Sequence, residues 1–156
     1  MRGGRPLKIS TKGHYGVQAM FDLAQHYGEG PISLKSVAER QDLSEHYLEQ
    51  LIAGLRKAGL VKSVRGAQGG YILAREPAEI KIGDIVRVLE GPIAPVECVN
   101  GEDTEGCLKA EFCITRNVWE KVKDSIEGVL DSITLADMCK DAERAKMNRN
   151  FYMYHI

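Results

Sequence analysis

What this chain lacks sets its first boundaries. No apolar run approaches the roughly 20 residues that a membrane-spanning helix needs, and the opening Met-Arg-Gly-Gly-Arg-Pro has no apolar signal core. The expectation is a cytoplasmic protein. Catalytic signatures are missing too: there is no nucleophile elbow, no HExxH, and no pair of carboxylates at a spacing suited to acid–base work. An enzyme is therefore not expected. The glycines Gly66, Gly69 and Gly70 lack the Gly-Lys-Ser/Thr ending of a phosphate-binding loop, and no βαβ unit surrounds them. No internal repeat is evident. Cysteine is absent before Cys98, then appears at Cys98, Cys107, Cys113 and Cys139.

Net charge is also nearly absent, −1 over 156 residues, yet it is unevenly spread. Residues 1–75 carry 11 Lys/Arg against 6 Asp/Glu, and residues 76–156 carry 10 against 16. A basic half joined to an acidic half fits a nucleic-acid-contacting head on a body kept away from phosphates. An apolar fraction of 44% is enough for one packed core with an appendage.

Helical signals dominate. Ser10 or Thr11 can cap a first helix with Val17, Met20, Phe21, Ala24 and Tyr27 on one face, stopped by Gly28–Pro31. Ser33 caps a short helix carrying Leu34, Val37 and Ala38. Asp42-Leu43 turns, and Ser44 caps a second helix over about 45–58, with Tyr47, Leu48, Leu51 and Leu55 facing inward and Gly59 as the stop. Two short helices joined by a tight turn form a helix-turn-helix pattern. Two alternating runs, Leu60–Arg65 and Tyr71–Ala74, flank a glycine-rich tip at 66–70 and read as a β-hairpin wing.

A helix over Ile82–Glu90 ends at Gly91-Pro92. Residues 92–113 then read as a loop, and a long helix from about Thr115 shows Trp119, Val122, Ile126 and Val129 as one stripe. Thr134 with Asp137 resembles a capping box opening a last helix to about Ala145, followed by an aromatic tail around Phe151, Tyr152 and Tyr154. The expected fold is mainly α with a small β-hairpin, divided into a 1–7 tail, a winged helix-turn-helix over 8–91, a cysteine-bearing loop over 92–114 and a dimerisation region over 115–156.

A helix in the major groove reads bases with its N-terminal side chains. Here these are Ser44, His46, Tyr47, Glu49 and Gln50; Gln50 suits adenine, Glu49 can accept from a cytosine amino group, and Tyr47 can belong to the core instead. Arg65 and Gln68 lie at the wing tip. Lys8, Lys12, Lys35, Arg56 and Lys62 are candidate phosphate contacts. Cys98-x8-Cys107-x5-Cys113 gathers three thiols on one loop; thiolates are the usual ligands of iron–sulfur clusters and zinc, and this is not the CxxC…CxxC of a zinc ribbon.

Three stretches, Lys8-Ile9-Ser10-Thr11-Lys12-Gly13, Leu43–Leu51 and Val64–Tyr71, resemble the signatures of the Rrf2 family of dimeric winged-helix regulators. The resemblance implies that Ser44, His46, Tyr47, Glu49 and Arg65 sit where family members contact DNA, that the helix after the cysteines forms a homodimer, and that the dimer reads a two-fold-related operator in double-stranded DNA. Members that sense through an iron–sulfur cluster carry three cysteines at this place, so the resemblance implies a cluster, two-iron (2Fe-2S) rather than four-iron, on Cys98, Cys107 and Cys113. A histidine ligand of that branch is replaced here by Arg116. The fourth ligand must come from elsewhere: His14, at a first-helix position from which some members lend a ligand to the partner subunit, or Cys139, or a small exogenous ligand. Ser44–Gln50, Leu89–Ile93 and the Tyr152-Met153-Tyr154 tail look more like the cysteine-metabolism repressors of the family, which have no cluster and sense through cysteine synthase as a partner enzyme.

Overall fold

The computed structural model describes residues 9–96, 99 and 113–154. Lys8, Cys98 and Cys107, the expected 1–7 tail and most of the cysteine loop lie outside the described residues. Among those described, the element order is α1 (Thr11–Gln25), α2 (Leu34–Gln41), α3 (Glu45–Lys57), β1 (Val61–Val64), β2 (Gly70–Leu73), a 3-10 turn at Pro77–Glu79, α4 (Ile82–Glu90), α5 (Ile114–Ser132) and α6 (Leu135–Tyr154). The mainly helical fold with one hairpin is the one expected.

Apolar residues at helical spacing build one core. Met20 and Leu23 of α1, Val37 of α2, Leu48, Ile52 and Leu55 of α3, and Ile85 and Val86 of α4 are all buried together. The strands pair antiparallel from Val61↔Leu73 to Val64↔Gly70. Only the hairpin root, Leu60, Val61 and Leu73, is buried, so the tip is carried outward on a packed base.

The hairpin root is also clamped from the side. Ile32 and Tyr71 exchange two backbone bonds, Ile32 N–H to Tyr71 O at 3.0 Å and Tyr71 N–H to Ile32 O at 2.8 Å. Gly70 lies against the Ile32 backbone so closely that a Cβ there would collide with it.

The α5–α6 corner closes onto the same body. Ile82 N–H donates to Ile133 O at 2.9 Å, Leu135 N–H donates to Ile80 O at 3.0 Å, and Leu135 is fully buried. The capping box at Thr134 and Asp137 is formed both ways, with Thr134 N–H to Asp137 Oδ2 at 3.0 Å and Asp137 N–H to Thr134 Oγ1 at 3.2 Å. The Thr134 backbone bond holds the Asp137 carboxyl below its ordinary range.

Three sequence expectations need correction. The last helix does not stop near Ala145 but runs to Tyr154, taking Phe151 and Tyr152 with it; no Gly or Pro interrupts 135–154, so propagation outlasts the unfavourable Asn148 and Asn150. Tyr27 is not on the apolar face of α1, because that helix ends at Gln25 and Tyr27 is half exposed. Ser10 occupies the N-cap of α1 without a side-chain cap bond.

Candidate nucleic-acid interface

The helix-turn-helix is built by its caps. Ser33 Oγ accepts from Ser36 N–H and Ser44 Oγ from Tyr47 N–H, both at 3.2 Å, satisfying donors that each helix start leaves open. Between them Asp42 takes a left-handed conformation, φ 54° and ψ 49°, which short polar side chains tolerate. Gly59, at φ 80°, ends α3 and lets the chain turn into β1.

A buried ion pair fixes α2 on α1. Asp22, 1% exposed, accepts two bonds from Arg40, Nε to Oδ2 at 2.9 Å and Nη2 to Oδ1 at 2.7 Å, and a third from Gln41 Nε2 at 3.0 Å. The Asp22 hydrogen bond raises the Arg40 pKa against the opposing effect of burial. Sequence reasoning passed over Asp22; an acidic residue at core spacing between Ala19 and Leu23 was the available signal.

With Leu48, Leu51, Ile52 and Leu55 turned inward, α3 leaves His46, Glu49 and Gln50 exposed on its outer face, beside the exposed Ser44. Two of these are linked to His46: Gln50 Nε2 lies 3.4 Å from His46 Nε2, and His46 Nδ1 lies 3.9 Å from Glu49 Oε2. A tautomer with the proton on Nδ1 satisfies both contacts. Tyr47 divides its roles, half-buried with its ring edge-on to Tyr15 at 6.0 Å.

At the wing, Arg65 and Gln68 are exposed at the tip, which is closed by Gly69 N–H to Gly66 O at 3.0 Å. Gly66 adopts φ 122°, a conformation that favours glycine. Lys12, Lys35, Arg56 and Lys62 are exposed. The fold thus brings helix and hairpin to the surface of one small body, with polar donors and acceptors outward on each.

The expected metal-ligating residues are only partly placed. Cys113 is the N-cap of α5, partly exposed, with Sγ 3.0 Å from Thr115 Oγ1. That hydrogen bond, then the Arg116 backbone amide, lowers the thiol pKa and favours the thiolate that metals bind. This donor chemistry fits a cluster ligand. His14 lies exposed on α1, its ring 5.3 Å from that of Tyr15. Cys139 is half-buried on α6, and desolvation raises its thiol pKa. Among the described residues no three His, Cys, Asp or Glu side chains gather where they can hold one metal ion.

Comparison with known proteins places this geometry. Residues 9–141 match the family model Rrf2, described as "Iron-dependent Transcriptional regulator". The HTH-type transcriptional regulator CymR of Bacillus subtilis is 50% identical over 150 residues, spanning 96% of this chain and all of that protein. The HTH-type transcriptional regulator IscR of Serratia proteamaculans is 39% identical over 137 residues, 88% of this chain and 82% of that one. Among solved structures, T. potens IscR superposes with a TM-score of 0.74 at 71% identity, covering 92% of this chain and 93% of its own. The protein belongs to the Rrf2 family: it is a DNA-binding transcription regulator and not an enzyme.

Proposed function

We propose that the protein is a homodimeric repressor that reads a two-fold-related operator with α3 and the hairpin, and senses a 2Fe-2S cluster through Cys98, Cys107 and Cys113. The observation that carries the sensing role is the place of Cys113, partly exposed at the N-cap of α5, where the cysteine-bearing segment meets that helix. Likeness to T. potens IscR at 71% identity supports it. When bound, such a cluster supplies a redox-active centre.

The chain's own residues do the rest. Ser44, His46, Glu49 and Gln50 meet base edges, with Tyr47 steadying the helix start against α1. Arg65 and Gln68 enter the adjacent groove, and Lys8, Lys12, Lys35, Arg56 and Lys62 neutralise phosphates. His14 of the second copy supplies the fourth cluster ligand, with Cys139 or a small exogenous ligand as the alternatives. Because Cys113 opens α5, rearrangement of the cysteine loop reaches the dimer helix directly, which is how two sites come to share a coupling free energy.

The test is anaerobic purification with visible absorption and iron and sulfide assays. Brown protein that loses its colour on Cys107→Ala is the expected result. Colourless, iron-free protein after reconstitution in vitro overturns the cluster.

A second reading has its own support. CymR matches over its whole length at 50% identity. In that reading the protein represses genes of cysteine metabolism without a cluster, through a partner such as cysteine synthase or through a thiol redox switch on the same cysteines. Metal content separates the two.

A further inference from the structure

Two apolar features stand exposed among the described residues. The first is the start of α5. This 19-residue helix buries no residue completely, and Ile114, Val118 and Trp119 are 78, 50 and 39% exposed. The helix is held to its own body at the other end, where Leu130 packs on the core and Asp131 pairs with Arg87. Trp119 lies about 17 Å up the helix from Leu130, at 1.5 Å per residue. The exposed apolar start of α5 thus lies well along the helix from the anchor at Leu130 and Asp131.

The second feature is a cleft of about 410 Å³ between α1, α4 and α6, walled by Ile9, Val17, Phe21, Ile82, Val86 and Met138. Two polar side chains line it, His14 and Gln18. Gln18 Oε1 is buried and has no hydrogen-bond partner among the described residues. A second buried acceptor with no hydrogen-bond partner among the described residues, Glu90 Oε1, lies 2.5 Å from where a Cβ on Gly13, near the start of α1, would stand. A buried carbonyl oxygen left unpaired costs about 1–3 kcal/mol. An apolar cleft with one unpaired acceptor suits an apolar ring with one donor. Trp is the side chain of that description, and the chain has a single one, Trp119.

We propose that Trp119 of a second copy seats in this cleft and donates its indole N–H to Gln18 Oε1. The occupant is a second copy because Trp119 does not line the cleft of its own chain, the apolar start of α5 stays exposed there, and two-fold symmetry lets each copy give one ring and receive one. The inference rests on the homodimer proposed above and adds to it: α5 pairs with the partner's α1 as well as with the partner's α5.

The single tryptophan makes the test direct. The full-length protein is followed by its intrinsic fluorescence and acrylamide quenching on dilution through the dimer–monomer transition, with sedimentation giving the dissociation constant. The expected result is a shielded, blue-shifted Trp119 in the dimer that becomes exposed on dissociation. Gln18→Leu and Trp119→Phe each weaken the dimer about thirtyfold, the equivalent of two symmetry-related neutral hydrogen bonds of ~1 kcal/mol each. The double variant is no weaker than either single one, which is the mark of direct coupling. Ile9→Glu, at the exposed rim, exposes Trp119 without disturbing helix content. A dimer in which Trp119 is freely quenched, or in which Gln18→Leu and Trp119→Phe add independently, overturns the inference while leaving the α5 pairing intact. A chain that is monomeric at every concentration overturns both.

Discussion

Arg87 and Asp131 face each other across α4 and α5 as a two-pronged pair, Nη1 to Oδ1 at 2.9 Å and Nη2 to Oδ2 at 2.7 Å. The hydrogen bonds raise the Arg87 pKa and hold the Asp131 carboxyl below its ordinary range. Gly83 completes the arrangement, since a Cβ there would run into the Asp131 carboxylate. The pair is a side-chain strut between α4 and α5, beside the backbone clamp at Ile82 and Leu135.

Removing the strut should loosen that junction. Each side chain is 34% exposed, so solvent screening keeps the pair's contribution near ~1 kcal/mol. Asp131→Asn is expected to lower stability by about that amount in urea denaturation. Asp131 has a depressed folded-state pKa, so its contribution is fully present above the unfolded value of about 3.9 and is lost as pH falls through the folded value. The difference between wild type and Asp131→Asn should accordingly be constant from pH 6 to 8 (a range chosen well above about 3.9) and vanish under strong acid. A difference that grows on acidification contradicts the assignment.

The buried pair on α1 makes an asymmetric prediction. Asp22 is 1% exposed while the Arg40 side chain is 39% exposed. Removing Arg40 strands a buried carboxylate with Gln41 bonded to it and His26 Nδ1 3.7 Å away, whereas removing Asp22 leaves a guanidinium that can reach water. Arg40→Met is expected to cost roughly 3 kcal/mol, toward the value for a broken buried pair, and Asp22→Leu clearly less. Equal costs measured by chemical denaturation would mean that burial does not govern this site.

Much of the architecture was legible because its punctuation is local. Ser33, Ser44, Gly59 and Gly91 each act within a turn of their own position, and the boundaries of α2, α3, the hairpin and α4 follow from them. Errors came at helix ends: α6 continues past Ala145 because nothing stops it, and α1 ends at Gln25, ahead of Tyr27, with the stop at Gly28 and Gly30, φ 88° and 95°, taking effect a turn early. Pairings between distant residues were not legible. Arg40 lies 18 residues from Asp22 and Asp131 lies 44 from Arg87, so neither pair leaves a sequence pattern. The outward set on α3 was legible because its inward set has helical spacing; the exposure of Ser44, His46, Glu49 and Gln50 follows by exclusion.

The cysteines should differ in reactivity. Cys113 is partly exposed with a lowered thiol pKa from the Thr115 hydrogen bond, and Cys139 is half-buried with a raised one from desolvation. In metal-free protein near neutral pH, iodoacetamide should label Cys113 severalfold faster than Cys139, as read by peptide mass spectrometry. Thr115→Val should slow Cys113 and leave Cys139 unchanged. Faster labelling of Cys139 would contradict both environments.

Fluorescence anisotropy on the protein's own promoter DNA tests the surface formed by α3 and the wing most directly. Arg65→Ala should weaken binding about tenfold and lower the salt slope by about one, while Gln50→Ala should lose about 1–3 kcal/mol of preference for the operator over scrambled duplex. Unchanged affinity and unchanged preference in both variants would contradict the claim that this helix and hairpin read DNA.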